Sequence, residues 1–66
     1  MDIKQKFGLR LKDLRKAKGL SQEKLANLAE IDRTYLPTIE KGKRNVSIEI
    51  IEKLAIALEI NIKDFF

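Results

Sequence analysis

Cysteine and histidine are both absent from these 66 residues. Without thiolates there is no disulfide framework, redox pair or thiolate zinc site, and without imidazole the common metal sites and hydrolytic triads lose their ligand and base. No metal or cofactor is expected, and a reducing, cytoplasmic setting suits the composition. Proline occurs once and glycine three times. That is too little punctuation for a linker or a low-complexity tract, so residues 1–66 are read as a single domain. No apolar run approaches the roughly 20 residues of a membrane span. The opening MDIKQKFGLRLK carries charges where a leader peptide needs an apolar segment, so a soluble chain without a leader is expected. A core this small supplies only about 3–5 kcal/mol, and oligomerisation is expected to supplement it.

What the chain has in excess is positive charge. Fourteen Lys and Arg against ten Asp and Glu give +4 and a pI near 9.6, a balance that favours polyanions. The excess is segregated. Residues 1–44 hold twelve basic and six acidic side chains, whereas 45–66 hold two basic and four acidic. The first two-thirds is the surface for a polyanion, and the remainder is scaffold or partner contact.

All sustained periodicity is helical. Ile3, Phe7, Leu11 and Leu14 recur at spacings of four, four and three, which predicts a first helix from Ile3 to Lys18 ended by Gly19. Ser21 caps a second, with Glu23 in its first turn and Leu25, Ala26, Leu28 and Ala29 as its buried stripe. After the link Glu30 to Asp32, Asp32 caps a third helix from Arg33 to Lys41, ended by Gly42. At about 100° per residue, Tyr35, Leu36 and Ile39 face one way, while Arg33, Thr34, Pro37, Thr38 and Lys41 face the other. Ser47 caps a fourth helix with Ile51, Leu54, Ala55 and Leu58 as its stripe, and Asn61 caps a last turn with Asp64 at its third position.

Two helices joined by so short a link have the proportions of a helix-turn-helix, whose second member enters the DNA major groove. The run GLSQEKLANLAEIDRTYLPTIEKGKRNVS resembles, nearly position by position, that motif in the phage repressor and Cro-like (XRE-type) family. Within the family, Asp32 to Tyr35, Ile39 to Gly42 and Arg44 to Ser47 are most similar to the controller proteins of restriction and modification systems. The resemblance implies an all-α, lambda-repressor-like fold of five short helices. It further implies a DNA-binding regulator of transcription that binds operator half-sites of double-stranded DNA as a homodimer. Such a regulator is nucleoid-associated and meets RNA polymerase where its operator adjoins a promoter.

The resemblance also assigns residues. Gln22 matches a glutamine that bridges a phosphate and the recognition helix, assisted by the positive end of the helix dipole; the plain alternative is an exposed polar residue. Arg33 and Thr34 match base-reading positions, where a guanidinium can bond a guanine edge bidentately and a Thr methyl can pack on thymine. Thr38, one turn on, reaches the next bases. Tyr35 is half inward, with its ring in the core and its hydroxyl against the DNA backbone. Lys41, Lys43, Arg44 and Asn45 form a basic loop for backbone contacts, with Arg44 in reach of a base. Arg15 and Glu40 match a structural ion pair. Two departures from the family stand out. Glu30 occupies a link position that usually holds glycine, where a left-handed conformation costs about 1–2 kcal/mol. Pro37 lies inside the recognition helix, where an interior proline costs about 3 kcal/mol.

One short recognition helix offers few base contacts, so two copies are expected to read two half-sites. Ile50, Ile56, Ile60, Ile62 and Phe66 exceed what one helical stripe buries and are the candidates for a self-contact, with Phe65 assigned to the core. An enzyme is not expected: acid–base work would rest on Asp and Glu alone, no Gly-rich phosphate loop occurs, and no small-molecule substrate is implied. Glu49 and Glu52, beside Lys53, read as an exposed helical charge pattern. An antitoxin or protein-interaction module of the same fold, or a phage Cro-like repressor, is the alternative. A membrane-surface role for the first helix fails because its narrow apolar stripe is needed by the core.

Overall fold

Short polar side chains satisfy the free first-turn amides of the helices and so decide where most of them begin. The computed structural model describes residues 1–66. Helix α1 spans Ile3–Ala17, α2 Gln22–Ala29, α3 Tyr35–Glu40 and α4 Ile48–Leu58, and a 3-10 turn, Ile62–Phe65, follows. The five expected helices are therefore four α-helices and one 3-10 turn. Asp2 and Gln5 form a reciprocal capping box at α1, each side chain accepting the other's amide at 2.9 and 3.0 Å. Ser21 Oγ accepts the Lys24 amide at 3.0 Å and Ser47 Oγ the Ile50 amide at 3.1 Å, as expected of N-caps. The last turn is closed from the other side, by the Asp64 carboxylate accepting the Asn61 amide at 3.1 Å.

The third helix is shorter than the expected Arg33 to Lys41. Asp32 uses its carboxylate on the amide and hydroxyl of Thr34, at 2.8 and 2.7 Å, and its carbonyl on the Tyr35 amide at 3.0 Å. This tight turn holds Arg33 and Thr34 ahead of α3 instead of inside it. Pro37 thereby becomes the third residue of α3, where an amide would have had no helical partner, so its ring removes nothing from the ladder.

Glu30 and Glu59 both take the left-handed conformation, each with φ 58°. The Ile31 amide bonds the Ala26 carbonyl, and the Ile60 amide the Ala55 carbonyl, both at 3.0 Å, which are the wrapping bonds of a Schellman end. The link therefore keeps the geometry that glycine would give.

Phe7, Leu11, Leu25, Ala26, Ala29, Leu36, Ile39, Leu54, Ala55, Leu58 and Phe65 form the core. Helix α1 packs on α3, and α2 on both α3 and α4. Of the stripe residues, Leu14, Tyr35 and Ile51 are partly buried against this core, and two are exposed. Ile3 is in phase but lies in the overhanging first turn, where it lines a shallow groove with Phe7, Val46, Ile51 and Phe66. Leu28 is half exposed because it lies about 100° from the centre of the face formed by Leu25, Ala26 and Ala29. Arg10 Nε donates to the Asp64 carbonyl at 2.8 Å and the Phe7 and Phe65 rings lie 4.8 Å apart, so α1 holds the closing turn in place.

Gly8 is buried on α1, and a Cβ there would sit 2.3 Å from the Ile39 carbonyl oxygen and 2.8 Å from that of Glu40. Gly8→Ala is expected to destabilise the fold by about 1–3 kcal/mol, since the obstacle is backbone. Glu59→Gly, which relieves a left-handed residue at the expense of a freer unfolded chain, is expected to stabilise it by about 0.5–1 kcal/mol. Urea melts of the two variants check both signs.

Candidate nucleic-acid interface

Arg15 and Glu40 sit on the inner sides of α1 and α3 and are 8% and 7% exposed. Arg15 Nε donates to Glu40 Oε2 at 2.6 Å and Nη2 to Oε1 at 3.0 Å, a bidentate pair. The remaining Nη1 donates to the Leu20 carbonyl at 2.7 Å. The hydrogen bonds to Glu40 raise the Arg15 pKa against the opposing effect of burial, so the guanidinium stays charged throughout the accessible pH range. Gln22 Nε2 completes the network with a 3.0 Å bond to Glu40 Oε1. Three helices meet here: the last turn of α1, the first residue of α2 and the last of α3. Every buried side-chain nitrogen and oxygen in the protein has a hydrogen-bond partner.

The residues ahead of α3 are fully presented. Arg33 and Thr34 are exposed. Arg33 Nη1 reaches Glu23 Oε2 at 3.2 Å, an exposed pair of a kind that contributes about 0–1 kcal/mol and so yields readily to a stronger partner. Asp32, which shapes this turn, has its carboxyl held below the ordinary range by the Thr34 amide first and the Thr34 hydroxyl second.

At the other end of α3, three side chains form a unit. Thr38 Oγ1 donates to the Tyr35 carbonyl at 2.8 Å and accepts from Arg44 Nε at 3.3 Å. The Arg44 guanidinium carbon lies 4.3 Å from the Tyr35 ring centroid, within cation–π range. Lys41 and Lys43 are exposed beside a hollow shared with Met1, Gln5 and Leu9, and Gly42, at φ 73°, lets this loop press on the Gln5 backbone. Asn45 is exposed next to Arg44, and both line the apolar groove with Ile3 and Phe7.

The candidates for self-contact divide. Ile56, Ile62 and Phe66 are exposed, at 69%, 42% and 69%. Ile50 and Ile60 are half buried and pack against the core, so much of their surface is already used within one copy. Ile48, at 80%, is more exposed than any of them; its place one residue after the Ser47 cap, off the buried stripe, was the signal for it. Phe66 also lies 5.8 Å from the Phe7 ring.

Residues 11–65 match the model of the helix-turn-helix family. The chain belongs to that helix-turn-helix family. It is 50% identical over 66 residues to control protein C.MunI of a Mycoplasma species, covering 98% of this chain and 89% of the relative. To control protein C.BamHI of Bacillus amyloliquefaciens it is 44% identical over 64 residues, covering 96% and 79%. The crystal structure of the restriction-modification controller protein C.AhdI from Aeromonas hydrophila superposes with a TM-score of 0.93 at 54% identity, over 96% of each chain. In this helix-turn-helix domain α2 and α3 are the motif, and the Glu40 network fixes the angle between them.

Two consequences are measurable. Glu40→Ala leaves the Arg15 charge buried without its partner and is expected to lose about 3–5 kcal/mol, whereas replacing both by Met and Leu is expected to recover most of it. Thermal melts of the single and double variants decide whether the pair acts as a unit. Because the Asp32 pKa is depressed by folding, its contribution is complete above the ordinary carboxylate pKa of about 3.9 and disappears as pH falls through the lower folded value. The difference in melting temperature between wild type and Asp32→Ala is therefore expected to be largest near neutral pH and to close in strong acid.

Proposed function

We propose that this chain is a controller-type regulator of transcription that reads operator half-sites of double-stranded DNA as a homodimer, in the cytoplasm and on the nucleoid. The observation that carries the reading is the position of Arg33 and Thr34. They are exposed in the turn that leads into α3, held by Asp32 and unobstructed by the proline behind them, in a chain similar over nearly its whole length to restriction-modification controller proteins.

Arg33 and Thr34 read base edges, and Thr38, one turn further on, belongs to the same DNA-facing surface beside Arg44. Gln22, Tyr35, Lys41, Lys43 and Arg44 hold the backbone, with Asn45 at the margin. The dimer forms through the acidic last third, where Ile56, Ile62 and Phe66 lie open and Ile50 and Ile60 support them. RNA polymerase is the second partner where the operator adjoins a promoter. No reaction is catalysed.

Selection from a random duplex pool at two salt concentrations tests this reading. Enrichment of a two-fold-related motif supports it; retention of nothing at low salt defeats it and favours the protein-interaction module. On the selected operator, Arg33→Ala is expected to flatten preference at one base pair, while Lys41→Ala is expected to weaken all duplexes alike and lower the salt slope by about one. Ile56→Lys is expected to give a folded monomer by sedimentation, with operator affinity reduced to that of a single half-site.

A further inference from the structure

We propose that Thr38 acts on DNA through Arg44, as the positioning residue for that guanidinium, and that the two together with the Tyr35 ring form one preorganised donor. This rests on the DNA-binding reading above.

Its basis is the order of hydrogen bonds around a single hydroxyl. Thr38 has one proton to give, and the 2.8 Å bond to the Tyr35 carbonyl uses it. Its oxygen then has lone pairs only, and one of them accepts Arg44 Nε. A hydroxyl committed in this way is half buried and poorly placed to bond a base, because its donor is spent and one of its two lone pairs is engaged. Arg44 gains what Thr38 gives up. Nε, the one guanidinium nitrogen that cannot take part in an end-on bidentate contact, is anchored on Thr38. The plane is held over the Tyr35 ring, and Nη1 and Nη2 have no partner in the protein. A fork with two free N–H groups and a fixed orientation suits a bidentate acceptor of duplex DNA, which is either a guanine edge or a pair of phosphate oxygens. Arg44 follows α3 in a loop, where an unheld arginine would lose rotamer freedom on binding; here that ordering is done beforehand.

The test is a double-mutant cycle on the selected operator, read as dissociation constants, with circular dichroism melts to verify folding. Thr38→Val keeps the branched shape and removes the hydroxyl; it is expected to weaken binding about threefold to tenfold, the range of one lost hydrogen bond. Thr38→Ser is expected to restore wild-type affinity. In an Arg44→Ala background, Thr38→Val is expected to change nothing further, because the group that it positions is gone. Should the two losses multiply, or should Thr38→Val alter a base preference that persists without Arg44, Thr38 touches DNA by itself and the proposal is overturned. A base-specific loss for Arg44→Ala identifies guanine as the acceptor, and a uniform loss identifies phosphate. Absence of any salt-dependent binding by the wild-type protein would remove the DNA reading itself and this inference with it, an outcome distinct from multiplying losses.

Discussion

The Glu40 carboxylate is the point through which the three N-terminal helices are registered to one another. Its two oxygens accept from Arg15 on α1 and Gln22 on α2, while its own backbone ends α3. An apolar contact in the same place could supply comparable stability; the bidentate geometry adds a fixed direction to it. Gly8 makes the approach possible, since any side chain there would collide with the carbonyls of Ile39 and Glu40. Missing bulk on α1 and directed charge on α3 therefore belong to one packing solution. Leu36 and Ile39, both fully buried, fill the rest of the contact.

That registration matters because α3 has no means of standing alone. Its six residues are at most half of the roughly 12–15 below which isolated helices are marginal in water. It exists because two side chains are sunk in the core, its last residue is tied down by Arg15, and the Asp32 turn fixes its approach. Pro37 fits the same logic: φ near the helical value is set in advance, in the turn where a missing amide does no harm. Rigidity at the recognition element is supplied from outside the element.

Much of this could be read from the sequence, and the parts that could not have identifiable causes. Periodicity located the four α-helices, because burial of one face imposes spacings of three and four wherever a helix lies on a core. It placed Leu28 inside by the same rule, since angular position alone does not distinguish the edge of a face from its centre. The start of α3 was displaced by two residues because Asp32 can cap a helix or close a tight turn with the same carboxylate, and only the hydroxyl of Thr34 in place selects the turn. The Arg15 and Glu40 pair was available through resemblance and not through spacing. A Gln22 contact with the recognition helix was likewise available through resemblance, whereas its partner Glu40, the Arg33 contact with Glu23 and the bond from Arg44 to Thr38 appear only when the chain is folded. Gly8 did leave a trace: glycine in mid-helix, beside Phe7 on the buried stripe, is unfavourable enough to signal close backbone approach.

The size of the protein sets the final constraint on the proposed function. A six-residue helix advances about 9 Å, and B-DNA rises about 3.4 Å per base pair, so α3 spans roughly three base pairs. A word of that length recurs throughout any genome and defines no site. The longest dimension of the protein is 27 Å, whereas successive major grooves on one face of DNA are about 34–36 Å apart. A single copy therefore cannot reach a second groove, whatever its side chains. Lengthening the read by means of this fold requires a second copy, turned so that its own α3 meets the next groove. The surface for that contact has to lie away from the basic face, which the proposed function assigns to DNA. The acidic last third leaves Ile48, Ile56 and Ile62 open to solvent and is the surface that the proposed function uses for that contact; in such a complex its negative charge, repelled by phosphate, would favour the orientation in which the basic residues face the duplex.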